Sequence, residues 1–292
     1  MKAPLPDAAA GEDEPPARPL KVDRARPQLF SFSFKPSEAD PAVSARDLTQ
    51  LAQLDTRVAA RGKLVVVLAG VSSDPGPTSL VEYAARQGFH AFAVAYQNDF
   101  NPSTQSDPAF FGAARFEAFD GVDRTPLLTV SRPDCVEVRV ARALAHLQGR
   151  HPGGDWTFYL RADGQVRWSD VIFTGHSHGA TSAAAYGKLR RLHRAVSLAG
   201  PRDTNPVTAT WFALPSATPI DRFYAFTGTE DDQYPDHQKA MEAMGYVGTL
   251  VNVGQAAPPY GGSHRLAYPG GHGDAIDCER FAAACGYMFG VP

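Results

Sequence analysis

The sequence predicts an α/β fold: a mostly parallel sheet covered by helices on both faces. Two observations carry that reading. Continuous apolar runs rich in Val, Ile, Phe and Ala alternate with stretches of helical character over most of the chain. Such runs are what a strand buried on both faces needs, because each side chain, up or down, meets a helix layer. No internal repeat and no second composition regime divides the chain, so residues 27–292 read as one domain.

The elements follow in order. Gln28–Phe34 alternates polar and apolar residues with period two, as a half-exposed antiparallel strand does. Lys63–Gly70, His90–Tyr96, Asp170–Thr174, Ala195–Ala199, Phe223–Thr227 and Thr249–Val253 are the buried strands. Ser79–Gln87, Val136–Leu147, Ala180–Leu192 and His237–Met244 are the helices between them, with one more at the C-terminus. Gln97–Leu127 and Pro201–Pro219 are rich in Asn, Asp, Gly and Pro and read as long loops. Both follow strands, where open α/β sheets carry their functional loops. The aromatic residues in or bordering them, Tyr96, Phe100, Phe110, Phe111 and Trp211, are therefore candidates to line a substrate pocket, with Tyr96 and Trp211 first.

Composition narrows the function classes. With 28 basic and 31 acidic residues in 292, the formal charge is −3, which argues against an electrostatic nucleic-acid binder. No run approaches the roughly 18 apolar residues of a membrane span. Met1 to Arg26 is crowded with Pro and charge and lacks the apolar region of a signal peptide, so it reads as a disordered tail. A secreted or periplasmic chain that has lost its leader fits such a tail, and so does a cytoplasmic one. Of the three cysteines, Cys135, Cys278 and Cys285, none forms a C-x-x-C pair. Buried, reduced thiols are the expectation. A Cys278–Cys285 bridge would require Cys278 to precede the last helix, because seven residues of helix would hold the two roughly 10 Å apart.

The most informative segment is Val171-Ile-Phe-Thr-Gly-His-Ser-His-Gly-Ala180, an apolar strand running through Gly-x-Ser-x-Gly into an Ala-rich helix. A serine between strand and helix is projected above the sheet by a strained turn, and the flanking glycines keep Cβ atoms out of the crowded junction. Ser177 is thus the candidate nucleophile. His176 and His178 could also be read as a metal pair, yet no carboxylate or cysteine ligand lies near them in sequence and no His-Glu-x-x-His exists. The absence of Gly-x-Gly-x-x-Gly and Gly-Lys-Ser/Thr loops implies no cofactor.

With its flanking strand and helix, Gly175–Gly179 resembles the α/β-hydrolase superfamily of serine esterases and lipases. Leu198-Ala-Gly-Pro-Arg-Asp203, Pro215–Phe226 and Pro258-Pro-Tyr-Gly-Gly-Ser-His264 are similar to a less-characterised bacterial and plant branch of it. The resemblance implies the α/β-hydrolase fold and a Ser-acid-His triad in that chain order. The acid is expected just past the strand ending at Gly228, with Asp231 preferred to Asp232 and Glu230. The base is expected on a late loop before the final helix, with His272 preferred to His264. Two backbone N–H groups must face the developing oxyanion, one from His178 and one from Val71, or failing that Ser72. The function implied is hydrolysis of carboxylic esters, of small-molecule or polymeric substrates, through an acyl-enzyme on Ser177. A catalytically dead binding protein of the same fold and a metal-dependent hydrolase using His176 and His178 are the rival readings.

Overall fold

The computed structural model describes residues 18–100 and 106–291. Nine strands form one sheet in the order β1-β2-β4-β3-β5-β6-β7-β9-β8: β1 Leu29–Phe34, β2 Gln50–Asp55, β3 Leu64–Leu68, β4 His90–Val94, β5 Val171–His176, β6 Arg194–Leu198, β7 Phe223–Gly228, β8 Val251–Asn252 and β9 Arg265–Tyr268. β1 and β2, and β2 and β4, pair antiparallel, and every other pairing is parallel. Among the described residues seven α-helices accompany them: α1 Pro36–Ala39, α2 Thr78–Arg86, α3 Pro108–Asp120, α4 Val136–Arg150, α5 His178–Leu189, α6 Tyr234–Ala243 and α7 Ala282–Phe289. This is the α/β-hydrolase fold, with the serine turn leaving the carboxyl end of a central strand.

The central strands show why the apolar runs are continuous. Successive β side chains point to opposite faces. Leu64, Val66 and Leu68 of β3 enter one core with Phe92, Val140, Leu144 and Phe173. Val65 and Val67 enter the other with Leu80, Val81, Ile172 and Met288. All five β3 residues are buried, so a polar residue at any of them would face a helix layer without a partner.

Strands β2 and β9 and the short helix α1 were not expected, and three further features differ from expectation. Pro108–Asp120, expected within a loop, is the helix α3, begun by Asp107, whose side chain accepts the Ala109 N–H, and ended by Gly121 at φ 71°. Part of the expected tail is docked: Asp23 N–H donates to Gly153 O at 2.8 Å, Arg18 pairs with Asp155, and Leu20 and Val22 pack on the core. Residues 1–17 of that tail lie outside the described residues. The expected reduced cysteines are corrected as well. Cys278 and Cys285 are joined, their Cα atoms 5.6 Å apart, and the bridge is possible because α7 begins only at Ala282. Cys135 is free and buried.

Candidate active site

The turn at Ser177 joins β5 to α5, and its backbone takes φ 58°, ψ −115°. That region is costly for a residue with a Cβ, and it persists only where the surroundings enforce it. The enforcement is visible in the glycines. A Cβ on Gly179 would lie 2.2 Å from Leu68 O, and one on Gly175 would lie 2.5 Å from the Gly179 carbonyl carbon. Helix and sheet therefore approach closely only because both positions lack side chains. Ser177 N–H donates to Leu198 O at 3.0 Å, and the first helical bond, from Thr181 N–H to Ser177 O, spans 3.2 Å. The amides just after Ser177 open the helix and so have no intrahelical acceptor. Their positive dipole end faces the space above the serine.

Two strands away, Asp231 follows the end of β7 and is buried, whereas Glu230 and Asp232 are exposed. Asp231 Oδ2 accepts from His272 Nδ1 at 2.6 Å, and Oδ1 accepts from Gln233 N–H at 2.8 Å. The loop carrying His272 lies against the end of β7. A Cβ on Gly228 would fall 2.3 Å from Gly270 O, and Glu230 N–H donates to Gly270 O at 3.0 Å. His176, the residue before the serine, binds the same loop: its Nε2–H donates to His272 O at 2.9 Å, and the two rings lie 4.7 Å apart, edge to face. Ser177, Asp231 and His272 are thus brought to one end of the sheet. Among the described residues the His272 ring bonds to Asp231 through Nδ1, and no hydrogen bond joins it to Ser177 Oγ.

His264 is elsewhere. Its Nδ1 lies 3.1 Å from Phe223 O at the first residue of β7, the opposite end from Asp231, and its ring stacks on Tyr224 at 4.0 Å. His237, whose position on α6 carried no expected role, lies beside Asp231. Its Nδ1 is 2.8 Å from Thr227 Oγ1 and 3.9 Å from Asp231 Oδ2. Complete burial pushes its pKa down to about 4, so the ring is neutral at pH 7. No local signal could have found it, because α6 shows only a weakly amphipathic pattern.

His176 and His178 diverge. The His178 ring is buried, with Nδ1 3.4 Å from the Tyr96 hydroxyl and the Phe100 ring 4.6 Å away, edge to face. Burial, then the adjacent Arg115 cation, holds its pKa well below the usual histidine value. The two imidazoles face different neighbours rather than a common point, and the described residues contain no cluster of metal-ligating side chains.

The expectation that Tyr96 and Trp211 line a pocket is corrected. Both are 0 % exposed. Tyr96 donates its hydroxyl to Ala69 O at 3.0 Å, and Trp211 Nε1–H donates to Asp203 Oδ2 at 3.0 Å. They belong to a buried polar network behind the elbow, centred on Arg115 of α3. Arg115 grips Asp203 with two bonds of 2.7 Å and reaches Ser182 Oγ at 2.9 Å and His178 O at 3.2 Å. A buried guanidinium needs such complete pairing, since losing one partner of a buried ion pair costs about 3–5 kcal/mol. The network ties α3 and the loop after β6 to the first turn of α5, and sequence reading missed it by taking Arg115 for a loop residue.

On the other side of the serine, Gly70 follows β3. A Cβ there would lie 3.8 Å from Ser177 Cβ, so the Gly70–Val71 peptide borders Ser177. The Val71 side chain is 47 % exposed. Ser72 N–H is engaged with Asn98 O at 3.3 Å, which leaves Val71 the better placed of the two candidate donors.

No protein-family model and no curated protein matches the chain. Among solved structures the chain is similar to the S-formylglutathione hydrolase FrmB of Staphylococcus aureus, at 13% identity and TM-score 0.45 over 93% of this chain and 99% of that one. It is similar also to Thermogutta terrifontis esterase 2 in a form phosphorylated by paraoxon, at 14% identity and TM-score 0.43 over 88% and 95% of the two chains. A dienelactone hydrolase-like structure from Klebsiella pneumoniae gives 15% identity and TM-score 0.41 over 85% and 89%.

Proposed function

We propose that this protein is a serine hydrolase of carboxylic esters. Ser177 Oγ attacks the ester carbonyl carbon while its proton passes to His272 Nε2. The tetrahedral oxyanion collapses, the C–O bond to the alcohol breaks, and the alcohol leaves with the proton from His272. Water, deprotonated by the same nitrogen, then releases the acid and restores Ser177. Asp231 keeps the Nδ1 proton in place and stabilises the imidazolium. The N–H groups of His178 and Val71 receive the oxyanion. The observation that carries this reading is the 2.6 Å bond from His272 Nδ1 to Asp231 Oδ2, on a loop bonded to His176, the residue before a serine in a strained strand-to-helix turn. It assigns the tautomer: Nε2 is left as the proton acceptor.

The substrate class extends to small-molecule or polymeric esters, and the reaction requires no cofactor. No helix among the described residues is long and apolar enough to cross a membrane. The Cys278–Cys285 bridge supports an oxidising location, secreted or periplasmic, since such bonds rarely persist in reducing cytosol. The test is turnover of p-nitrophenyl esters of graded acyl length by wild type and Ser177→Ala. Hydrolysis that falls by about 10³-fold or more in the variant, with an unchanged thermal transition, is expected. Activity retained within about tenfold would refute Ser177 as the nucleophile, whereas no turnover of any ester by folded wild type would leave a binding protein of this fold.

A further inference from the structure

Asn98 is a fully buried carboxamide in the loop after β4. Its Nδ2–H donates to Gly70 O at 2.8 Å, and its Oδ1 accepts from Arg46 Nη2 at 2.7 Å. These partners leave no ambiguity in the amide orientation, because a guanidinium only donates and a carbonyl only accepts. Its backbone joins in, as Asn98 O accepts the Ser72 N–H. Arg46 is paired in turn with Asp74, and Arg139 Nη1–H donates to Arg46 O at 2.9 Å. One side chain thus connects the strand-β4 loop, the segment around Arg46 and the turn after β3.

The consequence lies in the Gly70–Val71 peptide. In a trans peptide the C=O and the following N–H point in opposite directions. Gly70 C=O is held by Asn98 Nδ2–H, with the Ser73 N–H also approaching at 3.2 Å. Val71 N–H therefore faces the other way, with the adjoining Gly70 Cα against Ser177. A peptide next to glycine is easily rotated, since no Cβ resists the change. Rotated, it would present a carbonyl oxygen to the oxyanion where a donor is needed.

We propose that Asn98 is a positioning residue of the oxyanion hole: its carboxamide fixes the Gly70–Val71 peptide so that the Val71 N–H, and not the Gly70 carbonyl, faces the developing negative charge. The proposal rests on the ester-hydrolase reading above. Arg46, by holding Oδ1, keeps the amide from turning over.

The test is Asn98→Asp, which keeps the shape and the acceptor for Arg46 but replaces the donor to Gly70 O with a repelling oxygen. Active sites are titrated with a fluorophosphonate, so that kcat is read per competent site. Expected are a loss of kcat of about 10²-fold, the usual effect of one oxyanion donor, and a KM within about threefold. The acid limb of the pH profile, which reports the base, stays in place. The inhibition constant of a phenylboronic acid, whose tetrahedral adduct places an oxygen in the hole, rises by a factor similar to the fall in kcat/KM. A merely structural role would reduce the number of competent sites and leave the boronate constant unchanged. Should Asn98→Asp not fold, Arg46→Lys serves, with about a tenfold loss and the same boronate signature expected. Wild-type kcat per site, or an unchanged boronate constant in the folded variant, overturns the proposal. Wild-type turnover that survives Ser177→Ala overturns the hydrolase reading, and this proposal with it.

Discussion

Replacing Asp231 by Asn tests the tautomer argument, and the structure dictates how the new amide must sit. Oδ1 of Asp231 accepts the Gln233 N–H at 2.8 Å in a buried site, and that donor has to keep an acceptor. The carboxamide oxygen of the variant therefore stays at the Oδ1 position, and the NH2 group takes the place of Oδ2. There it faces His272 Nδ1, now 2.6 Å from an acceptor. A donor at that point forces Nδ1 to accept and moves the ring proton to Nε2, the atom that must take the proton from Ser177. Loss of the correct tautomer in a Ser-His-Asp triad costs about 10⁴-fold in kcat, or roughly 5 kcal/mol of barrier. His237 cannot substitute, since its Nδ1 is already 2.8 Å from Thr227 Oγ1. The assay is steady-state hydrolysis of a p-nitrophenyl ester at neutral pH, with the exposed-site variant Asp232→Asn as the control. The control should remain within about threefold of wild type. An Asp231→Asn enzyme within about tenfold of wild type, correctly folded, would contradict the role of Asp231 in fixing the tautomer.

His176→Ala removes the donor to His272 O and the edge-to-face ring contact. It should lower kcat by about tenfold with little change in KM, measured on the same ester, because it loosens the loop that carries the proposed base. Cys278→Ser opens an eight-residue loop (Cys278 to Cys285), which on the chain-entropy model costs about 2–3 kcal/mol. Urea unfolding of wild type and variant, both without reductant, reads this directly, and a difference near zero would contradict it. The third concerns pH. His90 is fully buried, its Nε2–H donating to Gly154 O at 2.7 Å and its Nδ1 accepting from Tyr159, and burial pushes its pKa down to about 4. Between about pH 6.5 and that value the unfolded chain binds a proton that the folded chain refuses. Stability contributed by this site is therefore intact above pH 6.5 and falls as the pH drops towards 4, by roughly 1 kcal/mol per pH unit. Urea unfolding of His90→Gln at pH 6.5 and 5.5 should show a shallower decline than wild type, and parallel declines would count against the assignment.

The parts of this molecule that were legible in its sequence are those governed by local rules. Continuous burial on both faces makes β3 and β4 read as apolar runs. The serine turn is legible because the steric demands at Gly175 and Gly179 can be met by no other residue. Asp231 and His272 were expected from the chain order that the resemblance implies and from their glycine neighbours, and the structure bonds the two side chains to each other. What was illegible depends on distant contacts. Helix α3 is buried on nearly every side, so it has no polar face to set off an apolar one, and Arg115, Glu117 and Asp120 make it look like loop although all three are buried. Strand β9 spans only Arg265–Tyr268 and is recruited by β7 and β8 on either side. The roles of Tyr96 and Trp211 were misread for the same reason: their aromatic rings beside long loops suggested a pocket wall, yet both are buried, with the hydroxyl and indole N–H satisfied by Ala69 O and by Asp203 in the interior. Nothing near Asn98 or His237 in sequence marks them, since each acquires its neighbours only when the ends of several strands converge.

The most direct test of the central claim is the rate and site of fluorophosphonate attack. Mass spectrometry of digested wild-type protein is expected to find the phosphonyl group on Ser177 alone, with its rate lowered by about 10²-fold or more in His272→Ala, because a serine hydroxyl is a poor nucleophile without its base. A label on another residue, no label on folded protein, or a rate indifferent to His272→Ala would contradict it.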